Sequence, residues 1–235
     1  MVTAIVDIET DSLDASTVHC IVACEYETGK EKVWVQDECS KFASWSEKID
    51  TFIMHNGVSF DAPILNRLTG SKIKLSQVRD TLIESQLYNP IRDKGHSLAA
   101  WGERLGFPKG DHTEFEYYSP EMLEYCKKDV RITRKVAQEL EKEGKKFSTK
   151  SYELERKVRA IVDQQESNGF SFNLREAMAF LATLEEEEQS LSDKSQEMFE
   201  PTEVKLVTKT KYIPFNIGSR KQIAERLMKL GWKPT

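Results

Sequence analysis

The sequence lacks the features that would place it in a membrane, a secretory pathway or a disulfide scaffold. No apolar run approaches the ~20 residues that a bilayer-spanning helix needs. The N-terminus has no basic region followed by an apolar stretch, so no secretory signal is expected. Cysteine is scarce: Cys20, Cys24, Cys39 and Cys126 form no C-x-x-C pair and no zinc-ligand spacing. They read as packed free thiols in a reducing, cytoplasmic setting. Internal repeats are absent, and so is an excess of positive charge. The net charge of −5 does not advertise a nucleic-acid partner. What remains is a well-charged globular composition, 39% hydrophobic and 31% charged, in 235 residues. That length suits one large domain, or one domain and a smaller piece.

The distribution of charge says more than its sum. Residues 204–235 hold eight Lys/Arg and a single acid, Glu225, for a net +7. The rest of the chain is therefore at −12, so an acidic body carries a basic tail.

Periodicity divides the chain in the same way. Residues 3–8 and 51–56 read as buried strands, and 18–36 as a hairpin turning at Thr28-Gly29-Lys30. Helices are expected over 40–49, 62–68, 80–88 with Asp80 as N-cap, and 97–106. A long helix is expected over 119–144, with Ser119 as N-cap, Pro120 at N1 and Gly144 closing it. Residues 1–144 thus predict an α/β layer built on a central sheet. Residues 145–150 read as a linker. Beyond it, helices over 151–168 and 174–198 read as a separate helical hairpin, the first stopping at Asn168-Gly169.

One stretch poses a physical problem. "AIVDIETDSL" (4–13) starts as a strand, yet Asp7 and Glu9 lie two residues apart and so on one face. Two like charges about 6 Å apart repel by about 3 kcal/mol at an effective dielectric of about 20. Open water, a bound proton or an intervening cation would make the pair tolerable. Further acids follow. "HNGVSFDAP" (55–63) puts Asp61 after a strand, at the turn into a helix. "YCKKD" puts Tyr125 and Asp129 at i and i+4, on one helical face. Taken singly, Asp61 reads as a helix cap, Tyr125 as a core aromatic and His55 as a packed or surface histidine. Together, Asp-x-Glu, Asn-x-x-x-Phe-Asp and Tyr-x-x-x-Asp supply four acids and a phenol from two strand ends and a helix.

In that order these motifs resemble the three exonuclease motifs of the DEDD superfamily, tyrosine subclass. Residues 1–144 resemble the 3'-5' proofreading domain of family A (DNA polymerase I-like) DNA polymerases, especially the phage enzymes. "RDTLIESQLY" and "HSLAAWGERLG" also look like that family. The resemblance implies a ribonuclease H-like mixed sheet flanked by helices, followed by a thumb-like helical hairpin. It implies two-metal hydrolysis of terminal phosphodiester bonds of DNA, with Mg2+, or Mn2+ in its place. Asp7, Glu9, Asp61 and Asp129 would hold the ions, and Glu9 and Tyr125 would orient the attacking water. Thr10, Leu13, Asn56 and Phe60 would contact the 3' end, Leu13 as a wedge between the last two bases.

Residues 151–235 resemble the start of the family A thumb. There Ser219, Arg220 and Lys221 open a helix suited to a phosphate of primer-template duplex. Ile217 stands where the family usually has Pro. Some phage relatives carry a long insertion in this region that recruits host thioredoxin. Here only residues 200–214 separate Phe199 from Phe215, so no thioredoxin partner is expected. Nothing matches the palm carboxylates of a polymerase. The expectation is a proofreading unit in the host cytoplasm, a fragment or one subunit of a split polymerase whose palm-and-fingers chain is separate. The split arrangement is slightly favoured. An RNA-trimming DEDD nuclease and a non-catalytic DNA-clamping subunit are the alternatives.

Overall fold

A computed structural model of the protein describes residues 1–205 and 208–233. Leu206-Val207, within the 200–214 connection, and Pro234-Thr235, at the end of the thumb-like stretch, lie outside them. The chain divides into two compact units, residues 1–169 and 170–235.

The first unit is a layered α/β structure. Its elements run β1 (Thr3–Thr10), β2 (Val18–Glu25), β3 (Glu31–Val35), α1 (Phe42–Ser46), β4 (Thr51–Met54), α2 (Asp61–Thr69), β5 (Val78–Asp80), α3 (Thr81–Tyr88), α4 (Leu98–Arg104), α5 (Pro120–Glu143) and α6 (Thr149–Asn168). The five strands form one mixed sheet in the order β3-β2-β1-β4-β5. β1 is antiparallel to β2 and parallel to β4, and β4 is parallel to β5. Both faces are covered, which is why β1, β2 and β4 are apolar almost throughout. Ala4, Val6 and Ile8 join Phe42, Ala62 and Leu65 of α1 and α2 in one core. Ile5, Cys20, Val22, Cys24 and Ile53 join Met122, Cys126 and Val130 of α5 in the other. All four cysteines are free and buried.

The caps read from the sequence are made. Ser119 accepts from Met122 N–H at 3.1 Å and opens α5 with Pro120 in its first turn. The hairpin turns at Gly29, whose φ of +75° needs glycine and whose Cβ would stand 3.1 Å from Arg134 Nη1.

In the first unit the structure departs from the expected elements at four places. The helix expected over 40–49 is a 3-10 turn, Gln36–Lys41, followed by the short α1. The backbone tightens there, with Lys48 and Ile49 N–H bonding to Trp45 and Ser46 carbonyls, because Ile49 must drop into the core before β4 starts. β5 is an extra parallel edge strand ahead of α3. The expected linker is mostly structured: Gly144–Lys146 form a 3-10 turn and Ser148 caps α6. α6 itself belongs to the first unit and packs within it. The Tyr152 hydroxyl accepts from Asp80 N–H at 2.6 Å, and Arg159 Nε donates to Ser59 Oγ at 2.6 Å.

The second unit contains α7 (Leu174–Met198), β6 (Thr202–Lys205), β7 (Thr210–Ile213) and α8 (Arg220–Lys229). β6 and β7 pair antiparallel. The sequence reading held only helices here. Arg226 ties α8 back to Thr202 Oγ1 at 3.1 Å and to the Glu200 carbonyl.

Candidate active site

Strand alternation sets the first two acids. Residues 5, 7 and 9 share the sheet face covered by α5, so the row that begins with buried Ile5 ends in Asp7 and Glu9. The ladder is interrupted at this point: Glu9 pairs with Cys20 but Thr10 with Val18, an irregularity that re-aims the strand end. Glu9 is 8% exposed and Asp61, the first residue of α2, is 4% exposed. α5 supplies half-buried Tyr125, buried Cys126 and Asp129, which is 3% exposed. Cys126 Sγ lies 3.5 Å from both the backbone oxygen and Oδ2 of Asp7. One ligand atom from each of Asp7, Glu9 and Cys126 lies within 4.8 Å of the other two.

Glu9 is buried and Asp7 half-buried, so the pair is largely withdrawn from water, and raised carboxyls and a nearby cation ease its repulsion without cancelling it. Burial, then Asp61, Asp129 and Glu9, push the Asp7 carboxyl well above the usual carboxylate range. Burial and Asp129 push Glu9 up to about 8. Burial and Asp80 push Asp61 up to about 7. Burial raises Asp129 as well, against the pull of Lys109. The cation is Lys109. Its Nζ lies 2.7 Å from Asp129 Oδ2 and 4.7 Å from the centre of the Tyr125 ring. Burial would lower Lys109, but Asp129 outweighs it and the ammonium is held.

Asp129 Oδ1 is buried with no hydrogen-bond partner among the described residues. A buried carboxylate oxygen left unpaired among three other acids is a donor short of a cation. The carboxylate oxygens of Asp7 and Glu9, which lie within 4.8 Å of one another, are hard donors of the kind a divalent ion takes.

The other residues singled out by sequence fall as follows. Thr10 is buried and its hydroxyl donates to Ser12 O at 2.9 Å. Leu13, on the loop after β1, is 90% exposed and so has no part in the core. Asn56 is left-handed, φ 70°, and half-buried. Its N–H and that of Val58 donate to the Asp80 carboxylate, which also caps α3 through Leu82 N–H at 2.9 Å. Phe60 packs against the core beside Asp61. His55 bonds Thr81 Oγ1 at 2.8 Å, and burial, then Lys109, lowers it to about 4. Ser219, Arg220 and Lys221 belong to the second unit and stand at the start of α8. Ser219 Oγ caps Gln222 N–H, while Arg220 and Lys221 are exposed.

Lys109 was not legible in the sequence. It sits in "GFPKGD", a loop with no periodicity, and only the demand for a cation beside Asp7 and Glu9 hinted at it. The fold delivers it through a missing side chain. A Cβ on Gly102 of α4 would stand 2.8 Å from Phe107 O and 3.1 Å from Lys109 N, so glycine lets this loop lie against the helix. Further along the same loop, His19 bonds the Phe115 carbonyl at 3.0 Å.

The DNA-directed DNA polymerase of Escherichia phage T7 is 23% identical over 238 aligned positions, covering 72% of this chain and 33% of the relative. That of Enterobacteria phage T3 is 22% identical with the same coverage. The chain thus spans about a third of the length of these relatives. Among solved structures, the catalytic core of RRP6 from Trypanosoma brucei is similar in fold, with a TM-score of 0.51 and 12% identity, over 69% of this chain and 46% of that one. Phi29 DNA polymerase with primer-template DNA gives a TM-score of 0.42 at 16% identity, over 58% and 31%. The profile of the 3'-5' exonuclease domain of the DNA polymerase A type matches residues 4–145, more than half of the chain, and the protein belongs to that exonuclease family.

Proposed function

We propose that this protein hydrolyses the terminal phosphodiester bond at the 3' end of DNA, with two divalent ions, Mg2+ or Mn2+, as the proofreading part of a family A polymerase. One observation carries the reading: Glu9, Asp61 and Asp129 are buried beside half-buried Asp7, burial raises all four carboxyls, and Asp129 Oδ1 is unpaired. Bound ions would supply an activated water and neutralise charge on the phosphate. The chain's own work is distinct from that. Asp7, Glu9, Asp61 and Asp129 would hold the ions. The Tyr125 hydroxyl, with Glu9, orients the attacking water. Thr10 and Asn56 seat the terminal nucleotide, with Phe60 beside them. Exposed Leu13 enters between the last two bases, so that the scissile bond is splayed from the stack. The P–O3' bond breaks, and the products are a nucleoside 5'-monophosphate and a strand one residue shorter with a new 3' hydroxyl.

Residues 170–233 carry a different task. Arg220 and Lys221, at the N-terminus of α8, would bind phosphates of the primer-template duplex. A palm-and-fingers segment, in this chain's longer form or in a separate chain, would supply polymerisation and cover exposed Leu230 and Trp232. This chain by itself would not extend primers.

The test is digestion of 5'-labelled DNA and RNA strands with Mg2+, with Mn2+ and with EDTA. Stepwise shortening of DNA from the 3' end, abolished by EDTA, is expected. Cutting that survives EDTA overturns the metal reading. Cutting of RNA alone favours the trimming alternative, and no cutting leaves a DNA clamp.

A further inference from the structure

We propose that Lys109 is a positioning residue of this site, and that it trades affinity for divalent metal against speed of hydrolysis. The proposal rests on the exonuclease reading above.

Three observations carry it. Lys109 Nζ grips one oxygen of Asp129, Oδ2, at 2.7 Å, and the other oxygen, Oδ1, is the buried atom with no partner. The carboxylate is therefore divided: one oxygen is fixed by the ammonium, and the other is aimed as a free donor. The same ammonium lies 4.7 Å from the centre of the Tyr125 ring. Tyr125 and Asp129 are one helical turn apart, so Lys109 clamps the phenol and the carboxylate into one unit. Finally, the placement is built rather than incidental. Lys109 is 25% exposed in its side chain, and its backbone approaches α4 only because residue 102 is glycine. Phe107, two residues before it, packs with Leu98, Trp101 and Ile132, which anchors the loop that carries it.

Opposite consequences follow for binding and for turnover. A monocation bound to a ligand carboxylate competes with an incoming dication for that carboxylate's charge, so removing it strengthens metal binding through Asp129. Removing it also frees Asp129 to rotate and Tyr125 to drift, and misplacement of about 1 Å costs on the order of 10²-fold in rate. A residue that only held the fold together would give neither split.

The experiment compares wild type, Lys109→Met, Asp129→Asn and the double variant. Calorimetric titration with Mn2+ gives affinity, and single-turnover cutting of a 5'-labelled DNA strand gives rate. Lys109→Met is expected to bind Mn2+ about tenfold more tightly and to cut on the order of 10²-fold more slowly at saturating Mn2+. In the Asp129→Asn background the Lys109→Met change should leave Mn2+ affinity unaltered, because Lys109 acts through Asp129. Lys109→Arg, which keeps the charge, should return affinity to the wild-type value. Tighter binding with unchanged rate reduces Lys109 to a counter-ion and overturns the positioning role. Weaker binding with a lowered melting temperature makes it structural and overturns both parts. Equal effects in the two backgrounds overturn the coupling. A wild type that binds Mn2+ but cuts no nucleic acid defeats the exonuclease reading, and with it the turnover half of this proposal.

Discussion

The two units of this protein use their apolar residues in opposite ways. Residues 1–169 bury them in two cores on either side of a sheet, and the acids that end β1 are drawn into the interior with them. In residues 170–233, Phe215 is the one buried apolar residue and Ser195 the one buried polar residue among those described. Leu174, Met178, Phe180, Leu181, Leu184 and Leu191 of α7 are all more than 40% exposed. An apolar groove lined by Leu191, Met198, Phe199, Phe215, Ile223 and Leu227 has room for about 360 Å³. Chemistry needs the first arrangement. A low-dielectric surround raises the cost of leaving four carboxylates unneutralised, and so raises the reward for binding a cation. The second arrangement presents charge and surface, which suits contact with a large ligand.

The sharpest way to break that contrast is to remove a central acid. Asp7→Ala or Asp129→Ala should abolish metal-dependent hydrolysis, a loss of at least ~10³-fold, as expected where charge stabilisation of the transition state is the main device. Mn2+ titration of the same variants should show weakened binding. Substantial cutting by both would place the chemistry elsewhere. Tyr125→Phe comes next. The ring still packs while the hydroxyl is lost, and the slowing should fall within ~10²–10⁴-fold with metal affinity kept. A normal rate with a normal melting temperature would return Tyr125 to the core.

Leu13→Ala tests whether the site reaches out from the first unit. At 90% exposure the leucine contributes little to stability, so the melting temperature should hold. If its role is to part stacked bases, cutting should slow by roughly tenfold, in line with ~1–3 kcal/mol per stacked base. An unchanged rate removes the wedge. For the second unit, Arg220→Gln with Lys221→Gln should leave cutting of a short single strand intact. It should reduce the salt slope of duplex binding by about 2, since each phosphate contact contributes about 0.9. An unchanged slope would move the duplex contact away from α8.

How much of this was legible in the sequence follows from which forces are local. The strand alternation that pairs Asp7 with Glu9, the i, i+4 spacing of Tyr125 and Asp129, and the caps Asp80 and Ser119 are all set by short-range geometry. The structure keeps them. Asp80 was read only as a helix cap. Its second task, holding the Asn56–Val58 turn, depends on a contact 22 residues away in sequence and leaves no local trace. Lys109 is the extreme case. Its partner is 20 residues on, its loop has no period, and its placement depends on what Gly102 lacks. The extent of the sheet unit was misjudged for a similar reason. Tyr152 and Arg159 look like ordinary residues of an amphipathic helix until β5 and the Ser59 turn are there to receive them.

The smallest effect expected is on stability, and it sets the acid-filled interior against the open second unit. In the folded protein Glu9 titrates near 8 and Asp61 near 7, whereas in the unfolded chain each would titrate in the ordinary carboxylate range near ~4. Between those values the folded state binds more protons than the unfolded state. Stability from these two groups is therefore full below about pH 4 and is lost as pH rises through 7 to 8. In EDTA the melting temperature should fall by several degrees between pH 5 and pH 8, at roughly 2–4 °C per kcal/mol for a chain of this size. Divalent metal needs the same carboxylates deprotonated, so added Mg2+ should recover the loss at pH 8 and do little at pH 5. Trp34, Trp45 and Trp101 lie in the first unit and Trp232 in the second. Fluorescence melts of Trp232→Phe therefore report the first unit alone, where the effect should be found undiminished. A melting temperature in EDTA that rises from pH 5 to pH 8 would mean that the acids are already neutralised in the fold, and the contrast between a frustrated interior and an open second unit would fail.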